Sequence, residues 1–202
     1  MLRVGLTGGF ATGKSHVGRA LAELGCYLVK ADELGHQALE PGGAAWEPVV
    51  REFGRGILDE GERIDRRKLG EEVFARPERL ALLNGIMHPV VIRREEQLIA
   101  EAAAADPNRI AVVEAAILVE TGSWRRFDRL IVTVCPLEAQ LERAMKRDGL
   151  SREQALARIA RQMPLEEKRK YAHYVIDTSG TREDTCNQTV EVYRSLRSIQ
   201  QV

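Results

Sequence analysis

The segment Gly8-Gly9-Phe10-Ala11-Thr12-Gly13-Lys14-Ser15 fits the pattern G-x-x-x-x-G-K-[S/T]. Its glycines allow a backbone path on which successive N–H groups point inward at phosphate oxygens. A helix beginning at Lys14 adds the partial positive charge of its N-terminus. In that arrangement Lys14 reaches the β- and γ-phosphates and the Ser15 hydroxyl ligates Mg²⁺. At this chain's own frequencies of Gly, Lys and Ser plus Thr, chance yields the pattern about 0.003 times in a chain of this length. The expected nucleotide-binding set is therefore Gly8, Gly9, Ala11, Thr12, Gly13, Lys14, Ser15 and His16, with ATP as ligand and Ser15 as the metal ligand. The competing reading, a glycine turn ahead of an ordinary helix, needs no ligand.

Other residues stand where phosphoryl chemistry needs them. Asp32 follows a short apolar run, Tyr27 to Val29, and is either a general base that takes a hydroxyl proton or the N-cap of the next helix. Glu114 occupies the matching place after Ile110 to Val113 and suits a water-mediated Mg²⁺ contact, a helix cap or an ion pair. From Arg143 to Lys170 the chain carries nine basic residues against Asp148, Glu153, Glu166 and Glu167, a net +5. Arg143 and Arg147 lie one helical turn apart and can clamp one phosphate chain; the alternative is a solvated, salt-bridged helix. His88 precedes Pro89, where a helix is expected to end or bend. The four histidines and three cysteines have no zinc-ligand spacing.

A phosphate loop alone does not distinguish a kinase from a switch GTPase or a motor ATPase. The asparagines Asn84, Asn108 and Asn187 are followed by Gly, Arg and Gln, so no N-K-x-D base-reading motif exists. The nearest counterpart of a motor's acidic strand end, Val112-Val113-Glu114, is short and lacks Asp. A small-molecule kinase is the leading class, with a non-catalytic ATP-binding regulatory module as the reading outside it.

These groups need a scaffold that brings strand ends together. Apolar runs near residues 2–6, 27–29, 110–113, 130–134 and 174–176, separated by helical patterns, indicate a parallel five-stranded sheet covered on both faces. Two intervals exceed simple crossovers: a helical insertion over about 32–106, and a polar, Arg-rich helical lid over about 148–170 with Ser151 as its N-cap. The core is then about 1–31, 107–147 and 171–202. Thirty Lys plus Arg balance thirty Asp plus Glu, which argues against a chain-wide nucleic-acid or membrane-binding surface. Of the basic residues, 24 are Arg and 6 are Lys, favouring bidentate phosphate contacts. An odd cysteine count without CxxC, and no long apolar segment, point to a cytoplasmic protein, monomer or small homo-oligomer, without disulfides.

The residues resemble the dephospho-coenzyme A kinase family. The likeness runs through Leu6-Thr7-Gly8-Gly9, Gly13-Lys14-Ser15, Ala31-Asp32, Phe53-Gly54, Ile64-Asp65-Arg66, Val73-Phe74, Leu83-Asn84, His88-Pro89, Ile117-Leu118-Val119-Glu120, Gln140 with Arg143 and Arg147, Gln162, and Val175-Ile176-Asp177. It implies a three-layer P-loop kinase fold with a helical domain that receives dephospho-coenzyme A and a lid over ATP. The implied reaction phosphorylates the ribose 3′-hydroxyl, the final step of coenzyme A synthesis. Asp32 looks like the family's base, Lys14 and Ser15 its phosphate and Mg²⁺ groups, and Arg143 and Arg147 its lid arginines; Arg66 and His88 look like members of the substrate domain. A nucleoside or nucleotide kinase of the same fold is the alternative. Lys30, Ala11, His16, Glu114-Ala115-Ala116, His173 and Thr178 depart from the usual pattern; of these, Ala11 bears on the loop's backbone and Thr178 on adenine contact.

Overall fold

The computed structural model describes residues 1–74 and 76–200; Ala75, Gln201 and Val202, which fall within the expected insertion and core ranges, lie outside them. In chain order the elements are β1 (Arg3–Gly8), α1 (Lys14–Glu23), β2 (Tyr27–Lys30), α2 (Ala31–Ala38), α3 (Trp46–Phe53), α4 (Arg66–Phe74), α5 (Pro77–Ala105), β3 (Ala111–Glu114), β4 (Arg129–Val134), α6 (Leu137–Asp148), α7 (Arg152–Ile159), α8 (Leu165–Arg169), β5 (Tyr174–Asp177) and α9 (Arg182–Gln200). By internal packing the chain divides into two units. One is Met1–Lys30 with the chain from Ile99 onward, and the other is Ala31–Leu98.

The first unit holds a five-stranded sheet in the order β2-β3-β1-β4-β5, with every pairing parallel. β1 is buried from Val4 to Gly8, and β3 throughout, so neither can alternate apolar with polar residues; both faces of the sheet are covered. On one face Val4, Leu6, Val112, Ile131 and Ile176 pack with Val17 and Leu21 of α1 and Val192 and Leu196 of α9. On the other, Leu118, Phe127 and Leu130 close around Gly5. The register sets Leu6 and Lys30 beside Glu114, Gly8 beside Thr133, and Val134 beside Asp177. The strands therefore finish along one edge of the sheet, where ligands gather in open α/β folds. The Ser151 cap is present in full: its hydroxyl accepts the Gln154 N–H at 3.2 Å, and the Gln154 side chain returns to the Ser151 N–H at 2.9 Å. Trp124 lies tilted against Tyr171, ring centres 5.4 Å apart.

The second unit is helical. Its core gathers Ala38, Val49, Phe53, Ile57, Ile64, Leu69 and Val73, with Ile86, Met87 and Val90 of α5 against them. The expected breaks occur: Pro41-Gly42-Gly43 lies between α2 and α3, and Asp59-Glu60-Gly61 in a turn closed by the Leu58–Ile64 bridge. Trp46 donates its indole N–H to the Glu62 carbonyl at 3.1 Å. Of the two outcomes expected at His88-Pro89, an end or a bend, the first does not occur, because α5 runs through Pro89 to Ala105. Proline removes one N–H from the ladder, but its neighbours Met87 and Val90 are partly buried against the apolar cluster, and that packing offsets the lost bond.

Ile131 is fully buried in the middle of the sheet. Replacing it with alanine should cost about 2–5 kcal/mol, read as a lower urea midpoint with an unchanged slope.

Candidate active site

β1 ends at Gly8, the loop runs from Gly9 to Gly13, and α1 starts at Lys14, which is the strand–loop–helix context the motif requires. Buried hydroxyls shape this loop. Thr12 is 1% exposed and its Oγ1 bonds to the Gly9 carbonyl at 2.9 Å and to Thr133 Oγ1 at 2.8 Å. A Cβ on Gly8 would lie 2.1 Å from Thr133 Oγ1, so only glycine passes there. The Thr12 side chain is thus spent inside the loop, and its N–H also reaches the Gly9 carbonyl at 3.4 Å. Ala11 has φ +58°, the left-handed region that costs a non-glycine residue roughly 1–2 kcal/mol. The loop departure seen in the sequence is therefore a strained position.

Ser15 and Glu114 meet beneath this loop. The Ser15 hydroxyl donates to Glu114 Oε1 at 2.6 Å, although the two are 99 residues apart in sequence. Glu114 is 6% exposed, and its second oxygen, Oε2, is buried with no hydrogen-bond partner. Gly18 on α1 makes room for that oxygen, since a Cβ there would sit 2.9 Å from it. A buried carboxylate oxygen without a donor is costly, and a hard cation or a metal-bound water satisfies it. The Ser15 and Glu114 oxygens therefore fit Mg²⁺.

Beside the loop opens a cavity of about 500 Å³ lined by Ala11, Gly13 and His16 and by Arg143, Lys146, Arg147, Thr178 and Arg182. Arg143 donates to Thr178 Oγ1 at 2.9 Å and also to the Thr178 carbonyl. Thr178 Oγ1 in turn donates to the Thr12 carbonyl at 2.9 Å. α6 is thereby tied through one threonine to the phosphate loop. Arg147 forms a two-bond pair with Asp148, both contacts at 2.8 Å, and its guanidinium lies 5.4 Å from the Phe10 ring centre. That pairing holds the Asp148 carboxyl below the usual range. His16 Nε2 approaches Cys186 Sγ at 3.7 Å.

Asp32 is an exposed residue of the second unit, two positions beyond the end of β2. It lies inside the first turn of α2, with Glu33 beside it, rather than before the helix. The N-cap reading is overturned on that ground; a carboxylate there gains from the helix dipole instead. Arg66 opens α4 and His88 lies within α5.

Several members of the basic run do not face a ligand. Arg152 forms a double pair with Glu138, both contacts at 2.8 Å, and Lys170 pairs with Glu167 at 2.7 Å. Lys168 is fully buried; its ammonium donates to the carbonyls of Gly8 at 3.2 Å and Ala116 at 2.7 Å, and lies 2.8 Å from Glu120. Burial pulls its pKa below the ordinary lysine value, against the attraction of Glu120. This residue fastens α8 to the end of β1 and to the segment after β3.

The dephospho-CoA kinase family model matches residues 2–184. The chain belongs to the dephospho-CoA kinase family. It is 43% identical over 196 residues to the dephospho-CoA kinase of Aquifex aeolicus, covering 97% of this chain and 98% of that one. To the dephospho-CoA kinase of Carboxydothermus hydrogenoformans it is 44% identical over 194 residues, covering 96% and 94%. Among solved structures, a dephospho-CoA kinase from Campylobacter jejuni superposes with TM-score 0.68 at 29% identity, over 97% of each chain. A shikimate kinase from Bacteroides thetaiotaomicron, 14% identical with TM-score 0.53 over 96% and 98%, shares the fold. The sheet, its phosphate loop and its neighbours together make this a P-loop kinase fold, and the family makes the protein an ATP-dependent kinase.

Sequence reasoning leaves Glu114 open among three roles and counts Lys168 only as one charge of a basic run. An acid closing an all-apolar strand was the available signal for the first. No local signal marks the second, whose partners are 160 and 52 residues away. Lys168→Met removes the buried ammonium from Glu120 and from the Gly8 and Ala116 carbonyls, leaving Glu120 only the Met163 N–H and Ala116 only the Thr7 hydroxyl, and should cost about 3–5 kcal/mol, read as a fall in Tm that Lys146→Met, on the exposed side of α6, does not produce.

Proposed function

We propose that this protein transfers the γ-phosphoryl group of ATP to the ribose 3′-hydroxyl of dephospho-CoA, giving CoA and ADP, the last step of CoA synthesis in the cytoplasm. The observation that carries this reading is the Ser15–Glu114 pair under the phosphate loop, next to a cavity lined by four basic side chains. Family membership supplies the substrate class.

In this reading Gly8, Gly9, Ala11, Thr12 and Gly13 present backbone N–H groups to the phosphates, and His16 flanks them. Lys14 extends to the β/γ oxygens. Ser15 and the orphaned Glu114 oxygen would hold Mg²⁺. Bound there, the ion neutralises charge on the β/γ oxygens. The arginine-lined cavity receives the donor nucleotide. Arg143 is fixed by Thr178, so its free N–H groups are preset toward phosphate, whereas Arg147 exchanges Asp148 for phosphate. Asp32 orients the ribose hydroxyl and accepts its proton as the new P–O bond forms and the bond to the ADP oxygen breaks. The helical segment over about 32–106 receives the acceptor, and the segment over about 148–170 closes over ATP to exclude water. The partners are these two small molecules, not nucleic acid or membrane, and the protein is a monomer or small homo-oligomer. Among the described residues no helix is long and apolar enough to cross a membrane.

An acceptor panel with coupled detection of ADP should give turnover with dephospho-CoA and little with nucleoside monophosphates; robust turnover with a nucleotide alone would sink this reading. Asp32→Asn should lower kcat by about 10²-fold or more with ATP binding intact, measured by steady-state kinetics beside ATP titration. Arg147→Lys should also slow transfer, because an ammonium cannot replace the two-pronged guanidinium.

A further inference from the structure

A second cavity, of about 320 Å³, flanks the phosphate loop at Gly9, while the arginine-lined one lies at Ala11 and Gly13. Its chemistry is the reverse of its neighbour's. No basic residue lines it; Phe10 and Leu165 supply apolar walls, and the polar lining is Gln140, Gln162 and Glu166. Gln140 is 4% exposed, and its side-chain Nε2 donates to the Cys135 carbonyl at 3.5 Å. Its Oε1 is buried without a partner, and so is Oε1 of Gln162. The Gln140 oxygen stands against the open face of Gly9, 3.1 Å from where a Cβ would be.

A phosphate in this cavity would meet the Glu166 carboxylate and two unpartnered carbonyl oxygens, with no basic side chain to balance its charge. The two orphaned carbonyl oxygens require N–H donors carried on an apolar, flat body. The volume lies within the range of small-ligand pockets. We propose that this cavity binds the adenine ring of the phosphoryl acceptor, with the exocyclic amino group donating to Oε1 of Gln140 and Gln162. The inference rests on the acceptor being dephospho-CoA, and adds the residues that read its base. Donor and acceptor nucleotides then lie on opposite flanks of one loop, with the transferred group between them.

The test uses the wild-type enzyme with dephospho-CoA and with its deaminated analogue, in which hypoxanthine presents an oxygen where adenine has an amino group. Wild type should favour the adenine acceptor in kcat/KM by about 100-fold, because the analogue sets oxygen against oxygen. Gln140→Leu and Gln162→Leu should each raise KM for dephospho-CoA about tenfold and shrink that preference. KM for ATP should stay within about twofold of wild type, as nothing in the donor cavity has changed. Equal use of both acceptors by wild type overturns the proposal without needing any variant to fold. So does a preference that survives both substitutions, or a shift in KM for ATP alone. Absence of turnover with either acceptor overturns the functional reading itself.

Discussion

N–H groups that converge on one point repel each other, so a phosphate loop must be held in shape by the rest of the protein. Here that hold comes from buried side chains on four other elements. Thr133 on β4 fixes Thr12, and Thr178 after β5 takes the Thr12 carbonyl. Lys168 on α8 grips the Gly8 carbonyl, and Glu114 at the end of β3 receives Ser15. Each is a polar group out of water, and each is satisfied by another, apart from the Glu114 Oε2, which is buried without a partner. The sheet register makes this possible, because it brings Gly8 beside Thr133 and Leu6 beside Glu114.

How much of this was legible follows from what a local pattern can carry. The five strands were readable because a strand buried on both faces is a continuous apolar run, and each lies within a residue or two of its expected span. The phosphate loop was readable because its chemistry is contiguous. Pro89 left an end or a bend open because its effect on a helix is local, whereas the cluster that carries α5 past it draws on α2, α3 and α4. Asp32 was ambiguous for a related reason: the same carboxylate suits a cap, a first turn or a base, and only the helix boundary separates the first two. Lys168 was illegible, since a lysine in a polar helix reads as solvated until its distant partners are known.

The arginine excess takes on a different meaning in the folded chain. Several guanidiniums grip backbone carbonyls instead of anions: Arg143 at Thr178, Arg109 at Gly25 and Arg197 at Asn108. The planar fork that suits phosphate also suits the loose ends of loops, and a lysine would do this less well. A neutral total charge therefore conceals both a set of guanidiniums lining the cavity beside the loop and a set of internal staples.

The two tryptophans fall one in each unit, Trp46 in the helical one and Trp124 in the one that carries the sheet. Each has its own surroundings: Trp46 is tethered to the Glu62 carbonyl, and Trp124 lies against Tyr171 close behind α8. The protein thus carries one intrinsic optical label per unit. With either indole replaced by phenylalanine, the fluorescence of the other reports on its own unit alone, so the chain comes equipped for watching each unit separately.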